Sequence, residues 1–338
     1  MKYFFNFFKK IIIISLFLGF FSLAIVLYFL WKYSPELPSY DELKNYNPNL
    51  SSRVFTSDGV LLDKYFIEER IFVPIGRMPE NLINAFISAE DKNYFSHRGI
   101  DPIAITRAIY TNFFNKITKK RMIGASTISQ QVVKNLLLTN EISLERKFKE
   151  MILAIRIENI LSKKDILELY LNDIYLGYGS YGVASASMNY FNKSLNELSI
   201  DECAFLAALP KAPNNYHPRK NYEKAIERRN WVLKKMQKNE FIDLKKMKLL
   251  SNKPLVTAKR FEESFEEAEY YKAEVRKQLN NSLGNKLLYE EGLVVKTSID
   301  TNLQKILDQV LIDSLISQDK KYGWRGSIRK HNEADTHN

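Results

Sequence analysis

The 338-residue sequence predicts a mostly α-helical protein behind a single membrane-spanning helix, with a short β-containing segment towards the C-terminus. Three observations carry this reading: an uncharged apolar run at 11–31, helical spacing of apolar residues almost throughout 79–239, and strand-like alternation confined to RVFTSDGVLLDKYF and GLVVKTSID. Hydrophobic residues make up 45% of the chain, which excludes wholesale disorder. A formal net charge of +11 points to anionic partners, whether nucleic acid, an anionic membrane surface or a phosphate-bearing substrate. The one cysteine, Cys203, stands in DECAFLAAL and reads as a small core residue, so no internal disulfide can form.

Taken in order, residues 1–10 are a short tail. Residues 11–31 are long enough, at ~1.5 Å per residue, to cross a ~30 Å hydrocarbon layer. The run ends in bulky YFLWKY and offers no small-residue cleavage site, which marks an uncleaved signal anchor. Lys2, Lys9 and Lys10 precede it, whereas Glu36, Asp41 and Glu42 soon follow Lys32, so the N-terminus lies in the cytoplasm and the rest outside, a single-pass topology. Polar, proline-bearing 32–52 forms a juxtamembrane linker. A hairpin turning at Asp58-Gly59 opens a domain at 53–240 that is otherwise helical, with capping boxes at Ser162 and Ser199. Pro210 and Pro213 close the helix containing Cys203. Residues 241–338 hold a charged amphipathic helix, a strand, a turn at Asp300-Thr301, a further helix and a polar tail. With no room for a sheet around that strand, they read as a linker and the start of a truncated further domain.

Five stretches carry polar residues that helix formation alone does not demand. In EDKNYFSHRG, Glu90 follows the apolar face of Leu82, Phe86 and Ala89, where partial desolvation raises a carboxyl towards a useful general base. A helix C-terminus disfavours acids, so Glu90 and Asp91 together need another reason; the alternative is a pair of solvated acids. In GASTISQQVVKN, Ser126 or Thr127 caps a helix whose N-terminus, with Gln130, Gln131 and Lys134, suits a phosphate, or is simply well capped. In ERKFKEMILAIRIE, Arg146 and Lys147 flank Glu150, while Leu144, Phe148, Ile152 and Ile155 face a core. Apolar Ala154 and Ile157 continue the stripe of Glu150, which places it in a cleft, with the two cations available for a diphosphate and Glu150 orienting them or holding a metal. Glu168 and Asn172 lie one turn apart before the glycine-rich turn of Gly177, Gly179 and Gly182, and Lys211 sits between prolines in a rigid turn.

In order and spacing these stretches resemble the five motifs of the family 51 glycosyltransferases, peptidoglycan polymerases found alone or as the N-terminal half of class A penicillin-binding proteins. The resemblance runs from about residue 53 to 222. Glu90, Asp91, Tyr94, Phe95, His97 and Gly99 meet the first motif, the stretch from Gly124 to Gln131 the second, and Arg146, Lys147 and Glu150 the third. Residues from Lys163 through Glu168 and Asn172 to Gly177 meet the fourth, and Leu209 to Pro213 the fifth. Departures are Tyr94 for phenylalanine, Ala125 for glycine, Ser129 for threonine and Ala208 for glycine, each conserving size or hydrogen bonding.

The resemblance implies a lysozyme-like helical bundle that polymerises lipid II into β-1,4-linked glycan, with inversion and release of undecaprenyl diphosphate. It implies Glu90 as general base and Glu150 as a second catalytic residue that supports the leaving diphosphate, directly through Arg146 or through a divalent cation, Mg or Mn. Substrate contacts fall to Asp91, His97, Ser126, Thr127, Gln130, Gln131, Lys134, Arg146, Lys147, Glu168, Asn172 and Lys211. The expected setting is the bacterial cytoplasmic membrane, with lipid II, the growing glycan strand and other cell-wall synthesis proteins as partners and no nucleic acid. The C-terminal strand and helix are similar to those leading into the transpeptidase of class A enzymes. SQDK and SIRK match only its first motif, so transpeptidation is not expected. A lysozyme-like lytic hydrolase and a non-catalytic membrane-anchored fragment are the rival readings.

Overall fold

The computed structural model describes residues 51–66, 69–118, 124–138, 143–258 and 268–323, with scattered positions between Ile13 and Leu37. Of the expected membrane span, Ile13, Phe17, Phe20, Phe21, Ala24, Tyr28 and Trp31 are described, all helical, and the remainder lies outside the described residues. Among the described residues no helix is long and apolar enough to cross a membrane.

A hairpin comes first, β1 (Ser52–Phe55) antiparallel to β2 (Leu61–Tyr65). Its turn contains Gly59 in the left-handed conformation (φ 87°) and is closed by Val60 N–H donating to Thr56 Oγ1 at 2.9 Å. Next come β3 (Glu69–Arg70), α1 (Glu80–Glu90), α2 (Pro102–Ile117), α3 (Ile128–Leu137), α4 (Leu144–Ile160) and α5 (Lys163–Asp173). After β4 (Ser180–Tyr181), parallel to β3, the chain continues through α6 (Gly182–Phe191), α7 (Ile200–Leu206), α8 (Tyr222–Lys238) and α9 (Leu244–Ser251). It ends in α10 (Glu269–Glu290), broken at Gly284, then β5 (Val294–Lys296) and α11 (Thr301–Lys321), which Asp300 caps.

These elements form two compact units, one of 1–48 with 68–261 and the other of 49–67 with 262–338. In the helical unit, α3 packs against α4 and α5, and α8 packs against α1 and α7. Leu82, Phe86, Ile128, Leu153, Ile166 and Phe205 are fully buried between them. The expected capping boxes form at Ser162 and Ser199, and Thr127, of the two candidates at its helix start, takes the cap of α3 with Gln130 closing the box. The orientation of α4 meets expectation in part. Ile152 is buried and Phe148 packs against the core, as does the stripe of Glu150, Leu153, Ala154 and Ile157, whereas Leu144 and Ile155 are exposed. The buried face of α4 is thus wide enough to take the carboxylate inside.

The second unit corrects the expectation of a strand with no sheet. β5 pairs in parallel with β1, Arg53 opposite Val294, giving the order β2-β1-β5. The hairpin therefore belongs with residues more than 200 positions later and not with the helices that follow it. Val54, Leu62, Tyr65, Leu288 and Ile299 form its core, so the sheet and α10 bury apolar surface that a lone hairpin would leave in water.

Candidate active site

In the helical unit a cleft of about 700 Å³ is lined by the C-terminal end of α1, one side of α2, the approach to α3 and one face of α8. Glu90, the last residue of α1, stands in its wall. Burial raises the Glu90 carboxyl above the usual carboxylate range, opposed by a hydrogen bond from Gln131 and by the charges of Arg228 and Lys211. Gln131 Nε2 donates to Glu90 Oε2 at 2.9 Å, and the buried Tyr170 hydroxyl donates to Gln131 Oε1 at 3.4 Å, which fixes the orientation of the amide. Burial holds that phenol well above its ordinary range, so it stays a donor.

The start of α3 is fastened from several sides. Thr127 Oγ1 donates to the carbonyl of Gly99 at 2.6 Å, and Ile128 N–H donates to Asp91 Oδ2 at 3.0 Å. Gly99 has φ 87°, and a Cβ there would lie 2.5 Å from the carbonyl oxygen of Ala154, so only glycine lets this loop approach α4. Ser126 lines the cleft and accepts a hydrogen bond from Lys147 Nζ at 2.7 Å. Lys147 also meets Glu150 Oε2 at 2.6 Å, and Arg146 pairs with Glu150 Oε1. The Glu150 side chain is only 2% exposed against 41% for Lys147.

Of the expected site residues, the structure brings Glu90, Asp91, Ser126, Thr127, Gln131 and Lys211 to the cleft. Glu150 is not in its lining; it lies beneath Arg146 and Lys147 as their buried counter-charge. It does not fit the metal ligand expected of it, because both carboxylate oxygens are engaged by cations and, among the described residues, no group of three His, Cys, Asp or Glu side chains could hold a metal. Gln130 is 2% exposed and spent on the capping box, and Lys134 is not in the lining. Glu168 Oε2 accepts from Ile75 N–H at 2.6 Å, while Asn172 bonds both backbone groups of Val73 at 2.9 Å. Both therefore secure the 73–75 segment. His97 is buried against Asp91 and does not face this cleft.

Sequence reasoning missed a cationic part of the lining. Arg228, Trp231, Lys235 and Lys238 on α8, Arg107 on α2 and Lys92 all line the cleft. Arg228 stacks 3.8 Å from the Trp231 ring centroid, and Lys235 lies 5.1 Å from the same ring. Burial lowers the Lys235 ammonium, and the charges of Lys238, Arg107, Lys92 and Arg228 push the same way. The available signal was the 3-4-3 spacing of Arg228, Trp231, Lys235 and Lys238, one face of a helix whose other face, Ala225, Arg229, Val232 and Met236, is buried.

A family model described as Transglycosylase matches residues 58–237, more than half of the chain. The chain is 45% identical over 323 residues to penicillin-binding protein 1A of Rickettsia typhi, covering 95% of this chain and 41% of that protein. It is 42% identical over 305 residues to penicillin-binding protein 1A of Aquifex aeolicus, covering 90% of this chain and 40% of that protein. The chain thus spans about two fifths of the length of the curated relatives it matches. A crystal structure of penicillin-binding protein 1A from Haemophilus influenzae is similar with a TM-score of 0.46 at 27% identity, covering 86% of this chain and 33% of that one.

Proposed function

The chain belongs to the transglycosylase family, and from that membership and the chemistry of its cleft we infer that it is a peptidoglycan glycosyltransferase of cell wall synthesis, polymerising lipid II. The observation that carries the reading is one carboxyl, Glu90, raised by burial and oriented by Gln131, in a cleft lined by Lys92, Arg107, Lys211, Arg228, Lys235 and Lys238. A raised carboxyl is a stronger base once ionised, and the surrounding cations favour substrates that carry diphosphate.

In the proposed reaction Glu90 takes the proton from the 4-hydroxyl of the acceptor sugar as that oxygen attacks the anomeric carbon of the donor. The new C–O bond forms as the bond to the diphosphate breaks, and attack opposite an α-linked leaving group gives a β-1,4 linkage. Lys147, held at Ser126, matches the charge developing on the leaving diphosphate, and Glu150 positions Lys147 and Arg146 from the buried side. The cations of α8 and α2 meet the diphosphate of the second lipid. The chemistry asks for position and charge, because a diphosphate leaves readily once its charge is matched.

A substrate confined to a lipid surface suits the signal anchor proposed for residues 11–31. Tyr33 and Leu37, just beyond it, are buried in the core of the helical unit, and Lys149 Nζ lies 5.2 Å from the Tyr33 ring centroid. α2 buries no residue and exposes Ile103, Ile109, Tyr110, Phe113 and Ile117, apolar surface that suits contact with lipid. Incubation of the purified chain with lipid II tests the reading. Glycan polymer is expected; cleaved glycan would make it a lytic enzyme, and unchanged lipid II a non-catalytic fragment.

A further inference from the structure

We propose that Tyr33 is a positioning residue, the fixed joint through which the membrane anchor holds α4, and with it Arg146 and Lys147, at the depth of the lipid headgroups. The proposal rests on the anchor and the substrate inferred above. Trp31, the last residue of the apolar run, is 76% exposed, whereas Tyr33 and Leu37 are 6% and 9% exposed and belong to the core of the helical unit. Trp31, Lys32 and Tyr33 are all helical. The chain thus passes from the end of the expected span into the protein core within two residues, and Leu37 fastens it there a second time.

The partner on the protein side is the first two turns of α4. Lys149 Nζ and Lys32 Nζ each lie 5.2 Å from the Tyr33 ring centroid. Lys149 Nζ also meets Glu145 Oε1, one turn back on α4, at 2.8 Å. A hydrogen bond from Lys149, opposed by burial and aided by the charges of Lys149 and Lys32, holds the Glu145 carboxyl below its ordinary range. Lys32 comes from the anchor side and Glu145 from α4, so opposite charges attract across the joint. The same two turns carry Arg146 and Lys147, and Lys147 reaches Ser126 at the cleft. Fixing one side of these turns against the anchor therefore fixes the cations on the other.

Helix geometry sets the depth. A helical run from 11 to 31 measures roughly 30 Å at ~1.5 Å per residue, which brings Trp31 to the edge of the hydrocarbon layer. Tyr33 stands about 3 Å further along, within a headgroup layer roughly 5–7 Å thick. Tryptophan favours that boundary. Leu144, the first residue of α4, is 82% exposed, apolar surface that lipid at the same level would cover. A diphosphate linked to a lipid lies in the headgroup layer too, so Arg146 and Lys147 meet it without drawing its tail out of the bilayer.

Depth can be read with a fluorophore on Leu144→Cys, since Cys203 is buried. In vesicles of phosphatidylethanolamine and phosphatidylglycerol, a lipid with a nitroxide on its headgroup should quench the label more than one with a mid-chain nitroxide, and Tyr33→Ala should weaken that quenching. In the same vesicles Tyr33→Ala should lower kcat/KM for lipid II about tenfold and Tyr33→Phe should restore it, while turnover of a water-soluble, short-tailed lipid II stays within about twofold of wild type. Stronger mid-chain quenching, or headgroup quenching that Tyr33→Ala leaves unchanged, overturns the proposal. So does an equal loss on both substrates, which would show a packing role alone. Lys149→Met keeps Tyr33 packed and removes only the cation, so it carries the test should Tyr33→Ala not fold. It should lower kcat/KM in vesicles about 2–5-fold and spare the soluble substrate, and no loss in vesicles counts against the joint. Quenching needs no turnover: headgroup depth lost in Tyr33→Ala, in a chain that leaves lipid II unpolymerised, would remove the substrate reading and keep the joint. A label that no nitroxide lipid reaches would remove the anchor and the joint together.

Discussion

Burial and catalysis make opposite demands on the Glu90 carboxyl. Burial disfavours its ionised form, and the proposed reaction requires that form. Glu90→Gln should lower kcat by about 10²–10⁴-fold with lipid II binding retained; near wild-type turnover would rule Glu90 out as the base. Because the carboxyl is raised on folding, the stability it contributes is present at acid pH and is lost as pH rises through its folded value. The same substitution should therefore raise Tm at neutral pH and leave it unchanged below the ordinary carboxylate range, which a pair of thermal melts decides. Glu150 is buried beneath two cations that themselves reach solvent, so Glu150→Gln strands no buried charge and should cost no more than about 1.5–3 kcal/mol of stability in denaturant titrations. Its loss of activity should be the same with and without added magnesium, since Lys147 and Arg146, and no metal, lose their partner.

At the element scale, the start of α3 separates structural groups from chemical ones within two residues. Thr127→Ala removes the cap and the bond to Gly99 and should lower stability by about 1–2 kcal/mol. Ser126→Ala should leave stability within about 0.5 kcal/mol yet reduce turnover, because Lys147 loses the hydroxyl that holds it at the cleft. Denaturant titration and kcat, measured on both variants, should show the two effects apart. What could be read in the sequence was of this local kind: the caps at Thr127, Ser162 and Ser199 and the hairpin turn depend on neighbours a few residues away. The placement of Glu150 was legible only in part: Ala154 and Ile157 continue its stripe, but spacing alone does not say whether that stripe lines a cleft or lies in the core, which tertiary packing decides. Glu168 and Asn172 bond backbone groups almost 100 residues earlier, a pairing no local spacing announces. The basic face of α8 was visible as a pattern, but a charged stripe is ordinarily a solvated one until another element is seen to close over it.

At the scale of the whole molecule, topology and a second chemistry are open to test. A reporter enzyme fused after Asn338 should be active only outside the cytoplasmic membrane, and cytoplasmic activity would overturn the lysine-bias argument. A fluorescent penicillin should leave this chain unlabelled. Ser317 lies exposed on α11, Ser327 lies outside the described residues, and the 338 residues contain no Lys-Thr-Gly to complete the constellation that acylation requires. A labelled band lost on Ser317→Ala or Ser327→Ala would contradict this.

The pairing of β1 with β5 also sets a clock on biosynthesis. Arg53 leaves the ribosome 241 residues before its partner Val294, so at roughly 5–20 residues per second the outer edge of β1 waits tens of seconds for its neighbour. Throughout that interval the helical unit can finish folding, while the hairpin offers an open row of backbone donors and acceptors to any other nascent chain nearby. A message cut short before Leu293 makes that wait permanent: its product should keep an intact catalytic cleft and yet be lost to strand-to-strand aggregation.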